Sequence, residues 1–264
     1  MTNEVTKVAR PMDKLKTVLS AESVKQQFEN ALKENAGAFI ASIIDLYGSD
    51  KDLQECDPSA VVMEALKAAT LKLPINKQLG FAYIVPYKGK PQFQLGYKGY
   101  IQLAMRTGQY RHLNTGIVYE GMKVTRNILT GEITISGEPT SEKPQGYFAY
   151  MELLNGFSKT VYMTREEIIA HAKRYSRSYG TAGSAWNSNF DEMALKTVVR
   201  QLLSKYGILS TDMVTALTST REEEDIEAEV EREVAANANQ EVIDVQGEVH
   251  EVQTPPIEQD GPGF

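Results

Sequence analysis

A run of short strand and turn patterns between residues 81 and 163 constrains this chain most, because helical patterns come mainly before and after it. Its clearest turn is Asn155-Gly156, between residues 146–153 and 157–163, and Asn-Gly between two β-type runs is a strong hairpin signal. Residues 81–87 and 92–95 predict a second hairpin, whose tip at residues 88–91 is basic. Further strands are expected at residues 116–119, 123–129 and 132–136. The pattern predicts an α+β fold with an antiparallel sheet.

Helical spacing of apolar residues occupies most of the remaining core sequence. Asp57-Pro58 predicts an N-cap followed by proline in the first turn, and residues 164–167 (TREE) predict a capping box. A long amphipathic helix is expected over residues 191–206, with Gly207 at its end. The other expected helices are residues 23–33, 38–47, about 99–106 and 165–175. The first 20 residues show little apolar periodicity, so we expect them to form a mobile arm.

The charge of the chain is divided unevenly. From Arg221 to Phe264 there are 14 acids and 2 arginines, whereas residues 1–220 carry 26 Lys or Arg against 21 acids. Low hydrophobicity and high charge are typical of disorder. We therefore expect a mildly basic core over residues 1–220 and an acidic, largely disordered tail over residues 221–264.

Composition also bears on where the protein is located in the cell and on whether it binds a structural metal. The single cysteine, Cys56, has no disulfide partner, and three histidines do not supply a structural zinc site. The first residues lack the apolar core of a secretory signal, and the sequence has no uncharged apolar run of membrane-spanning length. We therefore expect a cytoplasmic protein that does not contact a membrane.

The segment between Glu64 and Glu120 contains no acid across 55 residues. It holds eight Lys or Arg and eight Phe or Tyr, and cations interleaved with aromatic rings are what a single-stranded nucleic acid requires. On a helix, Lys98, Gln102 and Arg106 would form one polar stripe. The alternative is a solvated helix face with strand aromatics in the core, which is the commoner role for any one ring.

A second acid-free segment runs from Ile168 to Phe190. It contains His171, Lys173, Arg174, Arg177 and several aromatic residues around Gly180 and Gly183, and such a basic loop could follow a phosphate backbone. An ordinary surface loop with Trp186 in the core is the alternative. On the following helix, Glu192, Lys196 and Arg200 are spaced for either intrahelical ion pairs or phosphate contacts.

Missing motifs narrow the function. The chain lacks a phosphate-binding Gly-x-x-x-x-Gly-Lys-Ser/Thr loop, and residues 89–98 do not fit it. Hydrolase and zinc-protease motifs are also missing. Two interpretations of the nucleic-acid site remain open here: a passive single-strand binding protein with an OB-fold, and a nuclease or nucleotidyl transferase with dispersed acids.

Four ordered segments resemble the RecT family of phage-type single-strand DNA annealing proteins. They are LGFAYIVP at residues 79–86, LGYKGYIQLAMRTG at 95–108, YEG at 119–121, and SAW at 184–186 with FDEMA at 190–194 and KTVVR at 196–200. The resemblance spans roughly residues 37–206. The chain departs from the family pattern at Gln201 and at residues 205–207, where the family often has Arg and Leu-Pro.

The resemblance implies an ATP-independent annealing protein that pairs complementary strands in homologous recombination. It also implies a single-strand annealing protein core, in which an open antiparallel sheet carries crossing helices and a projecting β-hairpin. Implied partners are single-stranded DNA, nascent annealed duplex, further copies in rings or helical filaments, and a 5′ to 3′ exonuclease and host single-strand binding protein through residues 221–264. Residues 1–220 would bind DNA, anneal it and oligomerise. We expect no catalytic residue, covalent cofactor, bound metal or ATP, with magnesium at most modulating annealing.

The predicted DNA-binding residues combine both acid-free segments with the long helix. The resemblance itself places a basic groove on Lys98, Arg106, Arg111, Lys196 and Arg200. The hairpin tip at residues 88–91 would insert between bases or touch a neighbouring copy. The full predicted set is Lys72, Lys88, Phe93, Tyr97, Lys98, Gln102, Arg106, Arg111, Arg174, Arg177, Asn187, Lys196 and Arg200.

Overall fold

A computed structural model of the chain describes residues 10–176 and 178–219. Five helices come first, at Pro11–Ser20 (α1), Glu22–Leu32 (α2), Ala36–Ser49 (α3), Lys51–Gln54 (α4) and Pro58–Thr70 (α5). The middle of the chain contains Ala82–Tyr87 (β1), Lys90–Leu95 (β2), Tyr97–Met105 (α6), Tyr110–Tyr119 (β3), Lys123–Arg126 (β4), Ile133–Ser136 (β5), Pro144–Leu153 (β6) and Ser158–Thr164 (β7). Four helices follow, at Arg165–Tyr175 (α7), Ala185–Ser188 (α8), Phe190–Tyr206 (α9) and Thr211–Ser219 (α10). Mixed helix and antiparallel sheet confirm the α+β prediction.

The N-terminal helices correct one expectation. Residues 11–20, which we expected to be mobile, form α1, with Pro11 in its first turn and Leu15 and Leu19 buried in the core. Only two apolar residues are fully buried, which is why the periodicity was weak. The cap of α5 matches its prediction, since the Asp57 side chain accepts a hydrogen bond from the Ala60 N–H at 2.9 Å. Contacts divide the chain into residues 1–222 and 223–264. The predicted acidic tail lies outside the described residues.

The first hairpin joins β1 and β2 in antiparallel register, with Tyr87 opposite Lys90. Its two-residue turn is Lys88-Gly89, and both residues have positive φ, 49° and 77°. Such a turn matches the twist of a hairpin and favours glycine. The tip therefore exposes Lys88 and Lys90, as predicted.

A three-stranded antiparallel sheet has the order β3-β6-β7. On β6, Tyr147, Ala149 and Met151 are buried, whereas Phe148 and Tyr150 between them are half-buried. Helix α9 crosses the buried face and packs on all three strands. Strand β3 begins six residues before the predicted start of residue 116, because pairing with β6 imposes extended structure on a segment whose own pattern is weak.

Strands β4 and β5 pair only with each other in the described part of the chain. We expected a strand to continue to Leu129, but β4 ends at Arg126, and Ile128 and Leu129 lie in the turn. The β-type composition of these two residues was misleading. The described strands thus form a three-stranded sheet and two separate hairpins, not the closed five-stranded barrel of an OB-fold.

Helices α7 and α9 match their predicted boundaries closely, whereas α8 was not predicted. A capping box opens α7, with Thr164 and Glu167 each accepting the other's backbone N–H. Helix α9 ends at Tyr206, and Gly207 follows. Helix α10 was not predicted. None of the helices in residues 10–176 and 178–219 is long and apolar enough to cross a membrane.

Candidate nucleic-acid interface

Helices α6 and α9 pack against each other and bring the first acid-free segment, residues 65–119, to the long helix that follows the second one. Tyr100, Leu103 and Ala104 of α6 are buried, as are six residues of α9. These apolar faces leave the polar stripes of both helices at the surface. Lys98 is exposed on the first turn of α6, and Lys196 and Arg200 are half-buried on α9.

Lys196 is the most perturbed cation of this surface. Burial first, and the neighbouring positive charge of Arg200 second, lower the pKa of its amine to about 8. Within the described residues, neither side chain forms an ion pair, and the intrahelical pair with Glu192 that its spacing allows is not formed. Two adjacent cations are therefore partly desolvated without a bound counter-charge, which is an unfavourable arrangement unless an anion joins them.

Tyr83 lies where the start of β1, the start of α6 and the start of α9 meet. A Cβ placed on Gly80 would lie 3.3 Å from the Tyr83 hydroxyl and 3.4 Å from Cδ of Lys98. Burial chiefly raises the pKa of Tyr83, and the charge of Glu192 raises it further. Lys98 on α6 therefore lies beside Tyr83, and the negative charge of Glu192 on α9 acts on the same tyrosine.

A close backbone contact holds this junction. Gly96 precedes α6, and a Cβ there would collide with the carbonyl of Gly80 and approach the Tyr83 ring at 3.1 Å. The Gly96 N–H donates to the carbonyl of Phe81 at 2.9 Å. Glycine at residue 96 thus allows the first turn of α6, with Tyr97 and Lys98, to lie against β1.

A cleft of about 660 Å³ adjoins the start of α9. The Arg165 guanidinium stacks over the Phe190 ring at 4.2 Å and donates to the Tyr147 hydroxyl at 3.2 Å. That hydroxyl donates to Asp191 at 2.5 Å. Burial and this acceptor raise the pKa of Tyr147, so it stays protonated. The cleft is lined by Lys143, Pro144, Arg165, Asn187, Ser188, Asn189, Phe190, Asp191 and Glu192.

Arg165 and Lys143 were not among the predicted site residues. They lie far from α9 in sequence, and Arg165 was recognised only as the start of the capped helix α7. The Asn187 prediction does fall on this cleft, where its amide donates to the carbonyl of Thr181 at 3.0 Å.

Sequence comparison supports the family that these residues suggest. The RecT family model matches residues 37–236. The chain belongs to the RecT family. It is 49% identical to the uncharacterized protein YqaK of Bacillus subtilis (strain 168) over 221 residues, covering 82% of this chain and 76% of that protein. It is 31% identical to protein RecT of Escherichia coli (strain K12) over 183 residues, covering 65% of this chain and 66% of that protein.

RecT-family membership assigns the chain to single-strand DNA binding and annealing in DNA recombination, and implies self-association. Annealing proteins of this family are not classical enzymes. Within residues 10–176 and 178–219, the RecT-family chain has no cluster of three or more metal-ligating His, Cys, Asp or Glu side chains.

Several cations of the first acid-free segment have partners within this RecT-family fold. The Arg106 guanidinium donates to the carbonyls of Leu71 and Lys72 at 2.6 and 2.9 Å, just beyond α5. Arg111 pairs with Glu152 at 2.8 Å. Arg106 is thus held by carbonyls of its own segment and Arg111 by an acid from β6, so an acid-free segment is not an unpaired one.

Four exposed lysines of the same segment have no ion pair with a described residue. The amines of Lys98 and Lys88 lie near the rings of Tyr97 and Tyr87, at 5.9 and 5.3 Å from the ring centres. Lys98 lies at the α6–α9 surface and Gln102 follows it one turn later, half-buried. The four lysines are Lys72, Lys88, Lys90 and Lys98.

The aromatic predictions divide between core and surface. Phe93 is 3% exposed, so its ring packs in the core and is not available to a base, which corrects that prediction. Tyr97 remains half-buried beside Lys98. Trp186 is buried, and its indole N–H donates to Ser176 at 3.0 Å.

One predicted contact is not brought to the α6–α9 surface, and another cannot be placed. Arg174 is exposed on α7, which packs on β6 and β7, and its guanidinium lies 5.2 Å from the Tyr175 ring. Arg177 lies outside the described residues.

Proposed function

We propose that this RecT-family protein binds single-stranded DNA along the α6–α9 surface and anneals complementary strands without ATP or a covalent cofactor. The observation that carries the proposal is the pair Lys196 and Arg200, half-buried cations without an ionic partner among the described residues. A phosphate between them would restore the interactions lost on burial. DNA is the polyanion that fits the family.

The proposed contact residues differ in role. Lys98, Lys196 and Arg200 neutralise phosphates along the junction of α6 and α9, and Lys72 and Lys88 extend the positive surface. Arg106 and Arg111, which already have partners, act mainly by holding the surface in place. Tyr97 and Tyr83 offer rings next to Lys98 on which a base could stack.

Binding would not depend on the DNA sequence if the protein contacts only the sugar-phosphate backbone and the flat faces of the bases. Hydrogen bonds to phosphate carry no sequence information, and stacking tolerates every base. The base-pairing edges then stay open to a second strand. Annealing is downhill by about 1.4 kcal/mol for each base-pair step, so no fuel is required.

The protein lowers a kinetic barrier. Phosphate repulsion and self-paired single strands slow the meeting of complementary bases, and cations on a shared surface reduce both. We propose that several copies assemble along one strand in the cytoplasm, hold the nascent duplex, and that magnesium only modulates pairing. Residues 221–264 would contact an exonuclease or a host single-strand binding protein.

The test follows two fluorescent complementary oligonucleotides without ATP. Wild-type protein should accelerate pairing, whereas a passive binding protein would slow it. If about six phosphates are neutralised, the affinity for single strands should fall with log salt at a slope near -4. In the Lys196→Ala/Arg200→Ala variant, two fewer phosphates are neutralised, so the slope should become shallower, about -2.6, and annealing should slow.

The matched control removes the same charge from exposed positions of α1 and α2, in Lys14→Ala/Lys25→Ala. It should keep the slope and the rate of the wild type. Equal loss in both variants would mean that overall charge, not this surface, holds DNA. A labelled strand shortened or extended in the presence of magnesium would support the enzymatic alternative.

A further inference from the structure

The turn between β4 and β5 exposes two large apolar side chains. Ile128 and Leu129 are 90% and 97% exposed. Turns are usually occupied by Gly, Pro, Asn, Asp or Ser, and single exposed apolar residues are common, but an adjacent fully exposed pair is a candidate contact. We call residues 127–132 the β4–β5 tip.

The tip is held in one conformation by its own hydrogen bonds. The Gly131 N–H donates to the Asn127 carbonyl at 2.8 Å, and the Leu129 N–H donates to the Asn127 side chain at 3.0 Å. From β7, the Lys159 amine donates to the Thr130 carbonyl at 3.0 Å. A fixed apolar surface loses little entropy on binding, so this tip is prepared for a partner.

A complementary surface lies on the same chain. An open cleft of about 330 Å³ separates the β4–β5 hairpin from the outer face of the three-stranded sheet. Mostly apolar side chains line it: Met122, Ile133, Ile135, Phe148, Tyr150 and Thr160. We call it the β4–β5 cleft.

We propose that the β4–β5 tip of one copy docks in the β4–β5 cleft of the next copy. The inference rests on the self-association in the proposed function and names its surface. Because tip and cleft are different surfaces, each docked copy leaves one of each free. Repetition of such a heterologous contact closes a ring or extends a filament.

Charge favours the same head-to-tail arrangement. Beside the tip, the exposed Arg126 has no ion pair with a described residue, and together with Lys159 it outnumbers the one acid of the tip, Glu132. At the opposite end of the hairpin, Glu138 and Glu142 are exposed and likewise unpaired within the described residues, and they outnumber the one unpaired lysine there, Lys123. A cation beside the docking tip can therefore approach acids beside the receiving cleft.

The alternative occupant of the tip is DNA, since apolar side chains can wedge between bases. The position of the cleft favours a second copy of the protein over DNA as the partner of the tip. Tyr147 faces α9 and bonds to Asp191, whereas its neighbour Phe148 lines the cleft. Successive strand residues point to opposite faces. The cleft therefore lies across the sheet from Lys196 and Arg200.

The first experiment compares full-length wild-type protein with Ile128→Glu/Leu129→Glu. Both side chains are exposed, so the substitution leaves the core intact. Light scattering or mass photometry should show that the concentration needed for assembly rises about 100-fold. Affinity for an oligonucleotide too short for two copies should stay unchanged.

The control variant Met63→Glu/Leu209→Glu places equal charge on residues that are 56% and 58% exposed, and it should assemble as the wild type does. Unchanged assembly of the tip variant would overturn the proposal. Loss of short-oligonucleotide binding would also overturn it, by assigning the tip to DNA. Failure of the proposed function has a different signature, in which wild-type protein does not accelerate annealing.

A second experiment identifies the docked surface. Leu129→Cys protein is mixed with Thr160→Cys protein and oxidised gently, while buried Cys56 stays inaccessible. Disulfide-linked pairs should form in the mixture and not in either protein alone. Cross-linking of Leu129→Cys with itself would indicate contact between two tips. The absence of a cross-link in the mixture would show that the tip does not dock in the cleft. Either result contradicts the proposal.

Discussion

The charge state of Lys196 depends on whether an anion is bound. Its amine is half-buried beside Arg200, and its pKa is lowered to about 8 from 10.5. Without DNA, the unfolded chain binds more protons than the folded chain between these two values, so folding stability should rise with pH there. A bound phosphate has the opposite effect, because it stabilises the protonated amine and raises its pKa.

Affinity for single-stranded DNA should therefore depend on pH above neutrality. Below about pH 8 the free protein already carries the charge; above it, binding must take up a proton. We expect the dissociation constant to rise about tenfold between pH 7 and pH 9.5. Fluorescence anisotropy at constant ionic strength measures this change.

Lys196→Arg is the control for the pH profile, because arginine stays protonated throughout this range. Its profile should be flatter than that of the wild type. An identical loss of affinity in both proteins would show that another group titrates, and would remove Lys196 from the account.

At the scale of elements, Arg106 connects α6 to the end of α5. Its guanidinium donates to the carbonyls of Leu71 and Lys72, which follow the last turn of α5. Carbonyls at a helix C-terminus lack intrahelical partners and attract cations. The residue that the sequence suggested as a phosphate contact thus serves first as a link between two helices.

Replacing Arg106 by Gln should lower stability more than it alters DNA binding. We expect a loss of about 1–2 kcal/mol in the free energy of unfolding, since two charge-assisted hydrogen bonds are removed. Urea denaturation measures it. The salt slope of single-strand binding should change little, and a slope reduced by about 0.7 would instead restore Arg106 as a phosphate contact.

The junction of β1 and α6 depends on the absence of a side chain at Gly96. Gly96→Ala would force the Gly80 backbone or the Tyr83 ring to move, at a cost of about 1–3 kcal/mol. Gly37→Ala in α3 is the comparison, because its Cβ would meet no atom within 4 Å, and it should stabilise the protein by up to about 1 kcal/mol. Thermal unfolding of both variants measures these two changes in stability. Equal effects would mean that the contact at Gly96 is relieved without cost.

For the whole molecule, the three-stranded sheet separates two surfaces. On one face, α9 packs against the sheet and carries Lys196 and Arg200 outward. The other face forms the wall of the β4–β5 cleft. With DNA bound on the first surface and neighbouring copies on the second, assembly would not compete with strand binding.

Removal of residues 221–264 should leave annealing of naked oligonucleotides intact. The deletion changes the balance of Lys and Arg over acids from -7 to +5, and acids do not hold DNA. We expect rates within about twofold of full-length protein, with faster association at low salt. Loss of annealing in a stopped-flow assay of the truncated protein would refute this division of labour.

The sequence by itself determined the elements whose signals are local. The capping box of α7, the Asp57 cap of α5 and the Asn155-Gly156 turn depend on residues within four positions of one another. It also indicated the family, since four ordered segments carried the resemblance. Local hydrogen bonding and periodicity were sufficient for these predictions.

Only the tertiary structure decided which side chains are available. Arg106 and Arg111 find partners 34 to 41 residues away, Phe93 is enclosed by the core, and α1 is ordered by packing that its own pattern barely indicates. The helices that carry Lys98 and Lys196, α6 and α9, are distant in sequence and pack together. Burial and pairing depend on contacts between distant segments, and periodicity along the chain does not record these contacts.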